Sequence, residues 1–143
     1  MNTMNKESDI TLQVPAQLFF LPAIGHFAKD LFSRHPFLQH RKDELSYVLE
    51  LIVYESCANV IRHAYPQGQG QVLLKIWFYE QKIIIQVIDF GPGFDPDKIP
   101  LPNFEVPQER GMGLYIIRKT VDKFNYSYSS SEQGNVLHME KDL

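Results

Sequence analysis

A single cysteine, Cys57, stands in 143 residues, so no internal disulfide can form, and no Cys/His cluster has zinc-ligand spacing. Long hydrophobic runs are also missing. The apolar stretches are interrupted by Pro22, Glu50, Glu55 and Lys75, far short of the roughly 18 residues a membrane span needs. Neither sign of charge dominates: 14 Lys and Arg face 17 Asp and Glu, for a formal net charge of −3. That balance excludes binding to nucleic acid or to an anionic membrane by bulk attraction. The opening MNTMNKESD has neither the basic start nor the apolar core of a secretory signal, and the expectation is a cytoplasmic protein with no membrane or direct nucleic-acid partner. No internal repeat, low-complexity tract or domain boundary interrupts residues 1–143, which read as one domain. What the chain does have is core material: 44% apolar residues, 22% charged, and ten Phe with seven Tyr.

The hydrophobic periodicity alternates between sheet and helix. DITLQV (residues 9–14) alternates polar and apolar and predicts a first strand, closed by Pro15. Phe19, Leu21, Ile24, Phe27, Ala28, Leu31 and Phe32 recur at helical spacing over 18–32, with Pro22 in the first turn where a missing N–H is tolerated. A loop over 35–41 leads to Asp43, the expected cap of a longer helix over 44–65 that stops before Pro66. Two strands, 71–79 and 82–89, are linked so tightly that they must form an antiparallel hairpin. Residues 91–110 carry five prolines and no pattern, and a loop that long inside a compact domain is either a functional lid or disordered. A third helix is expected over 113–124, then strands over 126–130 and 135–140 about a turn at 132–134.

Three places break these local rules. On the long helix, the stripe of Leu45, Val48, Leu49 and Ile52 continues into Glu55, Asn59 and His63. Burying a carboxylate and an amide is costly unless they are paired or bound to something. A spacing of four stacks Glu55 and Asn59 on one face, where oxygen atoms suit Mg²⁺ and a carboxylate suits proton transfer. A polar pair satisfied by neighbouring backbone, or a rotated helix, accounts for the same residues without a ligand, and a lone His63 near a helix end ordinarily packs or caps. The second place is Asp89-Phe90-Gly91-Pro92-Gly93, after a strand of continuous apolar character. Its glycines let the backbone turn and a flat ligand approach, and Asp89 is placed to accept from an exocyclic amine; a tight turn with a solvated Asp is the plainer alternative. The third is Arg110-Gly111-Met112-Gly113-Leu114 at a helix start, where exposed N–H groups favour an anion and Arg110 offers a fork to phosphate oxygens. It completes neither a P-loop nor a G-x-G-x-x-G, and a glycine-rich loop with a surface arginine reads equally. In order along the chain, the three compose one nucleotide site, with a lid over about 94–110 joining the last two.

The run Glu55-Ser56-Cys57-Ala58-Asn59-Val60-Ile61-Arg62-His63-Ala64-Tyr65, with Asp89 to Gly93 and Glu109 to Leu114, resembles the N box and glycine boxes of the GHKL ATPase superfamily. More narrowly the chain is similar to the bacterial anti-sigma-factor serine kinases of the partner-switching type, over nearly its whole length. The resemblance implies an α+β fold, a two-layer sandwich whose mixed, mostly antiparallel sheet carries its helices on one face. It implies ATP and Mg²⁺ as cofactors, with Asn59 ligating the metal and Glu55 orienting or deprotonating the attacking hydroxyl. Asp89, helped by Gly91 and Gly93, would recognise adenine; Gly111 and Gly113 would let the lid and helix start close on the phosphates; Arg110 would contact the terminal phosphate. His63, Met112 and Leu114 fall within the same nucleotide-binding motifs. The implied substrate is a serine or threonine on a STAS-type anti-sigma antagonist, and the implied second partner an alternative sigma factor held by a homodimer. One departure stands out: the family often has threonine after the glycine of the last hairpin, whereas this chain has Gly134-Asn135-Val136.

Other readings compete. Asp-Phe-Gly occurs in eukaryotic protein kinases, but the His-Arg-Asp loop and Gly-rich strand loop are missing. A non-catalytic, ATP-gated binding module has no need of Glu55, which favours the kinase. A detached histidine-kinase catalytic domain fits the short lid less well, and gyrase-like or mismatch-repair activity would need a transducer domain.

Overall fold

The computed structural model describes residues 6–99 and 113–143. The alternating segments become β1 (Ile10–Pro15), β2 (Gln71–Phe78), β3 (Lys82–Asp89), β4 (Lys123–Ser129) and β5 (Gly134–Asp142). They form one sheet in the order β1-β2-β3-β5-β4. The expected mixed, mostly antiparallel sheet is antiparallel at all four pairings. The helical segments become α1 (Leu21–Arg34), α2 (Lys42–Ala64) and α3 (Gly113–Thr120).

The strand period of two sorts the side chains. Val72, Leu74 and Ile76 of β2, Ile83, Ile85 and Val87 of β3, and Leu137 and Met139 of β5 join one core with Leu21, Ile24, Ala28 and Phe32 of α1, Leu49, Ile52 and Val53 of α2, and Ile117 of α3. All three helices therefore lie on one face. Burying each large side chain of this set is worth about 1.5–3 kcal/mol before entropy is charged against it. The central strand β3 is buried along almost its whole length, which explains why its sequence runs apolar rather than alternating. α2 lies between the sheet, α1 and α3, so its second half is buried on most sides, from Ser56 through Ile61.

Three local expectations are corrected. Asp43 is not the cap of α2: a 3₁₀ turn over Pro36–Arg41 runs straight into the helix, which starts at Lys42. Asp43 and Glu44 lie within the first turn instead, where their charge complements the helix dipole. The segment 18–20 is a separate 3₁₀ turn, and Pro22 enters at the start of α1. Finally, α3 ends at Thr120 rather than 124. The Val121 N–H still reaches Ile117 O at 3.0 Å, but the Asp122 N–H goes to Glu140 O at 2.8 Å and turns the chain into β4. Val121 and Phe124 suit either period, and pairing with β5 decides between them.

Antiparallel register brings five strand ends together. Pro15 pairs with Gln71, Val72 with Asp89, Asp89 with Asn135, and Ser129 with Gly134. The end of α2 meets the sheet at this same end, where Ala64 O faces Gly91, and the start of α3 rests on α2 at Glu55 and Asn59.

Candidate nucleotide site

α2 presents Glu55 and Asn59 one turn apart, as their spacing predicts. Asn59 is 6% exposed and its Nδ2 donates to Glu55 O at 2.9 Å. That bond occupies the nitrogen, so the amide oxygen is the atom turned away from its own helix. Glu55 is half-buried, and desolvation raises its carboxyl pKa above the ordinary range, opposed by the nearby Arg62 charge. The first residue of α3 closes against both. A Cβ on Gly113 would collide with Glu55 Oε2 and lie 2.7 Å from Asn59 Nδ2. Only glycine lets the positive end of α3 rest on the carboxylate and amide. Leu114, the next residue of α3, is buried.

At the end of β3, Asp89 is fully buried and faces the helix layer. Its Oδ1 accepts from Asn135 Nδ2 at 2.9 Å and from the Gly91 N–H at 3.1 Å, and its Oδ2 accepts from the Tyr126 hydroxyl at 2.6 Å. Asn135 thus points into the site, bonding Gly91 O as well at 3.1 Å. Gly91 crosses the end of α2 so closely that a Cβ would strike the Ala64 carbonyl, and Gly93 takes a positive φ of 80°. Tyr65, the last residue of the N-box run, ties the pieces together: its hydroxyl donates to Gln71 O at 2.5 Å and accepts from the Phe90 N–H at 2.6 Å.

His63 stands at the rim, its ring 5.5 Å from that of Phe94, which is 4.5 Å from Tyr126. Partial burial and the neighbouring Arg62 lower the imidazole pKa, which favours the neutral ring. The structure therefore brings Glu55, Asn59, Asp89, Gly91, Gly93, Gly113 and Leu114 to one end of the fold, with His63 beside them. Arg110, Gly111, Met112 and the part of the expected lid from residue 100 to 110 lie outside the described residues.

Sequence reasoning missed Tyr126 and Phe94. A tyrosine in the alternating KFNYSYS of β4 has no local signal of a role. Its reach to Asp89 depends on the pairing of β4 with β5, which sets Tyr126 opposite Leu137, one step along the same face from Asn135.

This sheet, with its three helices on one face and a carboxylate–amide pair closed by a helix start, defines an ATPase-type domain. The chain belongs to the histidine kinase-like ATPase domain family, whose model matches residues 14–141. Among curated relatives, the serine-protein kinase RsbW of Bacillus thuringiensis is 26% identical over 147 residues, covering 96% of this chain and 87% of that protein. RsbW of Bacillus cereus and of Bacillus anthracis match to the same extent. Among solved structures, the SiaB–SiaC complex from Pseudomonas aeruginosa contains a chain that superposes with a TM-score of 0.62 at 13% identity, covering 98% of this chain and 92% of that one. The mycobacterial sensor histidine kinase MprB superposes with a TM-score of 0.51 at 14% identity, over 93% and 97% of the two chains. At those identities the structural likeness is one of fold.

Proposed function

We propose that the protein is an ATP-dependent serine/threonine kinase of the partner-switching type, which phosphorylates a STAS-type anti-sigma antagonist and, as a homodimer, sequesters an alternative sigma factor. The observation that carries the kinase reading is the contact of Gly113 with Glu55 and Asn59. It sets a carboxylate of raised pKa and the Asn59 amide against the N-terminal end of a helix, a placement that suits the positioning and charge stabilisation of phosphoryl transfer. Similarity to the RsbW serine-protein kinases over almost the whole chain supports the same class.

In this mechanism Asp89 orients the adenine base and Asn59 would be the protein ligand for Mg²⁺. The donor set fits: an amide oxygen beside a carboxylate suits a hard cation, which Asn59 would hold. When bound, the metal supplies charge neutralisation on those phosphates. Glu55 holds the attacking hydroxyl in line and takes its proton at a carboxylate oxygen, for which a raised pKa is an advantage. The backbone at Gly113 offers N–H groups to phosphate oxygens.

Two surfaces support protein partners. At the nucleotide end, Phe19 is 82% and Phe90 47% exposed, apolar area that suits a docked protein substrate. On the sheet face away from the helices, a trough of about 850 Å³ is lined by residues including Lys75, Trp77, Gln86, Ser127 and His138, a polar face suited to a second copy of the chain.

The test is transfer of label from γ-labelled Mg-ATP to STAS proteins of the same organism, with Glu55→Gln run alongside. A labelled serine or threonine produced by the wild type alone supports the kinase. Tight nucleotide binding with no label on any STAS protein favours the second reading, an ATP-gated binding module without transfer; Asp89 and Asn59 serve that reading equally, and only Glu55 argues against it.

A further inference from the structure

The turn between β4 and β5 carries strain and is held from both faces of the sheet. Among the described residues Gln133 is the one non-glycine residue with a positive φ, 56°, a conformation that an ordinary side chain keeps only where its surroundings impose it. Beside it, Gly134 presses on the end of β3 so closely that a Cβ would lie 2.6 Å from Asp89 O and 2.9 Å from the Phe90 ring. On the helix side of the sheet, the Asn135 amide donates to Gly91 O at 3.1 Å as well as to Asp89. On the outer side, Glu132 turns into the trough, where its Oε1 accepts from Lys75 Nζ at 2.8 Å. The turn therefore straddles the end of β3, with Asn135 on one face and Glu132 on the other.

Lys75 belongs to β2, and β3 lies between it and the β4–β5 hairpin, so this one bond crosses the central strand. The turn's own polar bond is longer: the Glu132 N–H reaches Ser129 Oγ at 3.3 Å. The side chains of Lys75 and Glu132 are only 21% and 30% exposed, which screens the pair less than one in open solvent. We propose that Lys75 is a positioning residue for the nucleotide site: from the far face of the sheet it anchors Glu132, keeps Gln133 in its strained conformation, and so holds the turn against the corner of residues 89–91. With the anchor removed, the turn relaxes at Gln133 and the corner braced by Gly134 and Asn135 loses its fixed shape. A nucleotide must then reorder that corner as it binds, which weakens affinity. Lys75 acts only through Glu132 and the turn. This inference rests on the reading that the corner from Asp89 to Gly93 belongs to a nucleotide site.

Titration calorimetry with Mg-ADP reads the effect without turnover. Lys75→Met and Glu132→Gln should each weaken Mg-ADP about fivefold, ~1 kcal/mol. The double variant should lose no more than either single one, because both act through one bond. Exchanging the charges, Lys75→Glu with Glu132→Lys, should bring affinity back to within about twofold of wild type. Lys82→Met is the control: it removes the 3.0 Å bond to Glu140 at the other end of β3, and it should lower Tm while leaving Mg-ADP affinity unchanged. An equal loss of affinity in Lys82→Met would mean that general weakening of the sheet is responsible, and would overturn the proposal. Additive losses in the double variant, or a charge exchange that restores nothing, would overturn it too. If Lys75→Met does not fold, Glu132→Gln and the charge exchange carry the test. A wild type that binds no adenine nucleotide removes the ATP reading and this inference with it. A wild type that binds Mg-ADP while Lys75→Met and Glu132→Gln bind it equally well removes this inference only.

Discussion

Asn59 and Glu55 occupy one helical face, yet they face opposite costs. Asn59 offsets its burial with one bond to its own helix, at 2.9 Å, whereas Glu55 is partly desolvated, an effect the Arg62 charge opposes without overcoming it among the described residues. Folding therefore favours the protonated form of Glu55. The stability this lends is complete below the carboxyl's unfolded pKa and is lost as pH rises through the folded value, so at pH 7 the ionised group is held at a cost. Glu55→Gln should accordingly raise Tm at pH 7, with the gain shrinking toward pH 4 as the wild-type carboxyl protonates, while transfer falls by about 10²-fold or more. Calorimetric melting at the two pH values checks the first part; a Tm below wild type at pH 7 would mean that Glu55 is paired rather than desolvated. For Asn59→Ala the expected loss is in Mg-nucleotide affinity, at least tenfold by titration. Unchanged affinity would take the amide out of the metal site. Both residues were legible in the sequence because polar groups on an apolar stripe violate the helical period. Tyr126 was not, since a tyrosine in an alternating strand violates nothing.

The elements meet at the site through contacts that tolerate no added atoms. α3 rests on α2 only because Gly113 has no Cβ. Gly113→Ala suits helix propensity, worth up to about 1 kcal/mol, but its methyl would displace the Glu55 carboxylate and crowd the Asn59 amide. The expected outcome is a folded protein whose Mg-nucleotide affinity and transfer rate both fall more than tenfold; titration and label transfer on the same preparation check it, and wild-type affinity would show that α3 can recede freely. The helix starting at residue 113, the strand ending at Asp89 and the hairpin of 71–89 were all readable from period and glycine placement. The end of α3 and the start of β4 were not. Val121 and Phe124 fit a helical face and a strand face alike, and the choice fell to Glu140 O on β5, which pairs with Asp122.

At the scale of the molecule, one core joins the sheet to three helices, and Cys57 sits at its centre, fully buried with its thiol pKa pushed up to about 12. A thiol both inaccessible and protonated at pH 8 should react with an aromatic disulfide reagent only when the protein opens globally. The modification rate should rise with denaturant in step with loss of circular dichroism; rapid reaction in the native state would mean that α2 separates from the sheet locally. The sequence by itself determined the hairpin, the long helix and the two polar residues on its face, because these depend on period and on the exclusion of charge from apolar surroundings, both local properties; the class of fold followed from the motifs it shares with a known family. Tertiary structure alone decided that Asp89 is held by Tyr126 and Asn135, that Gly113 lands on Glu55 and Asn59, and that Tyr65 links α2 to two strands. These contacts join residues up to 58 positions apart, as from Glu55 to Gly113, and strand register and helix packing, not local preference, set which side chains meet.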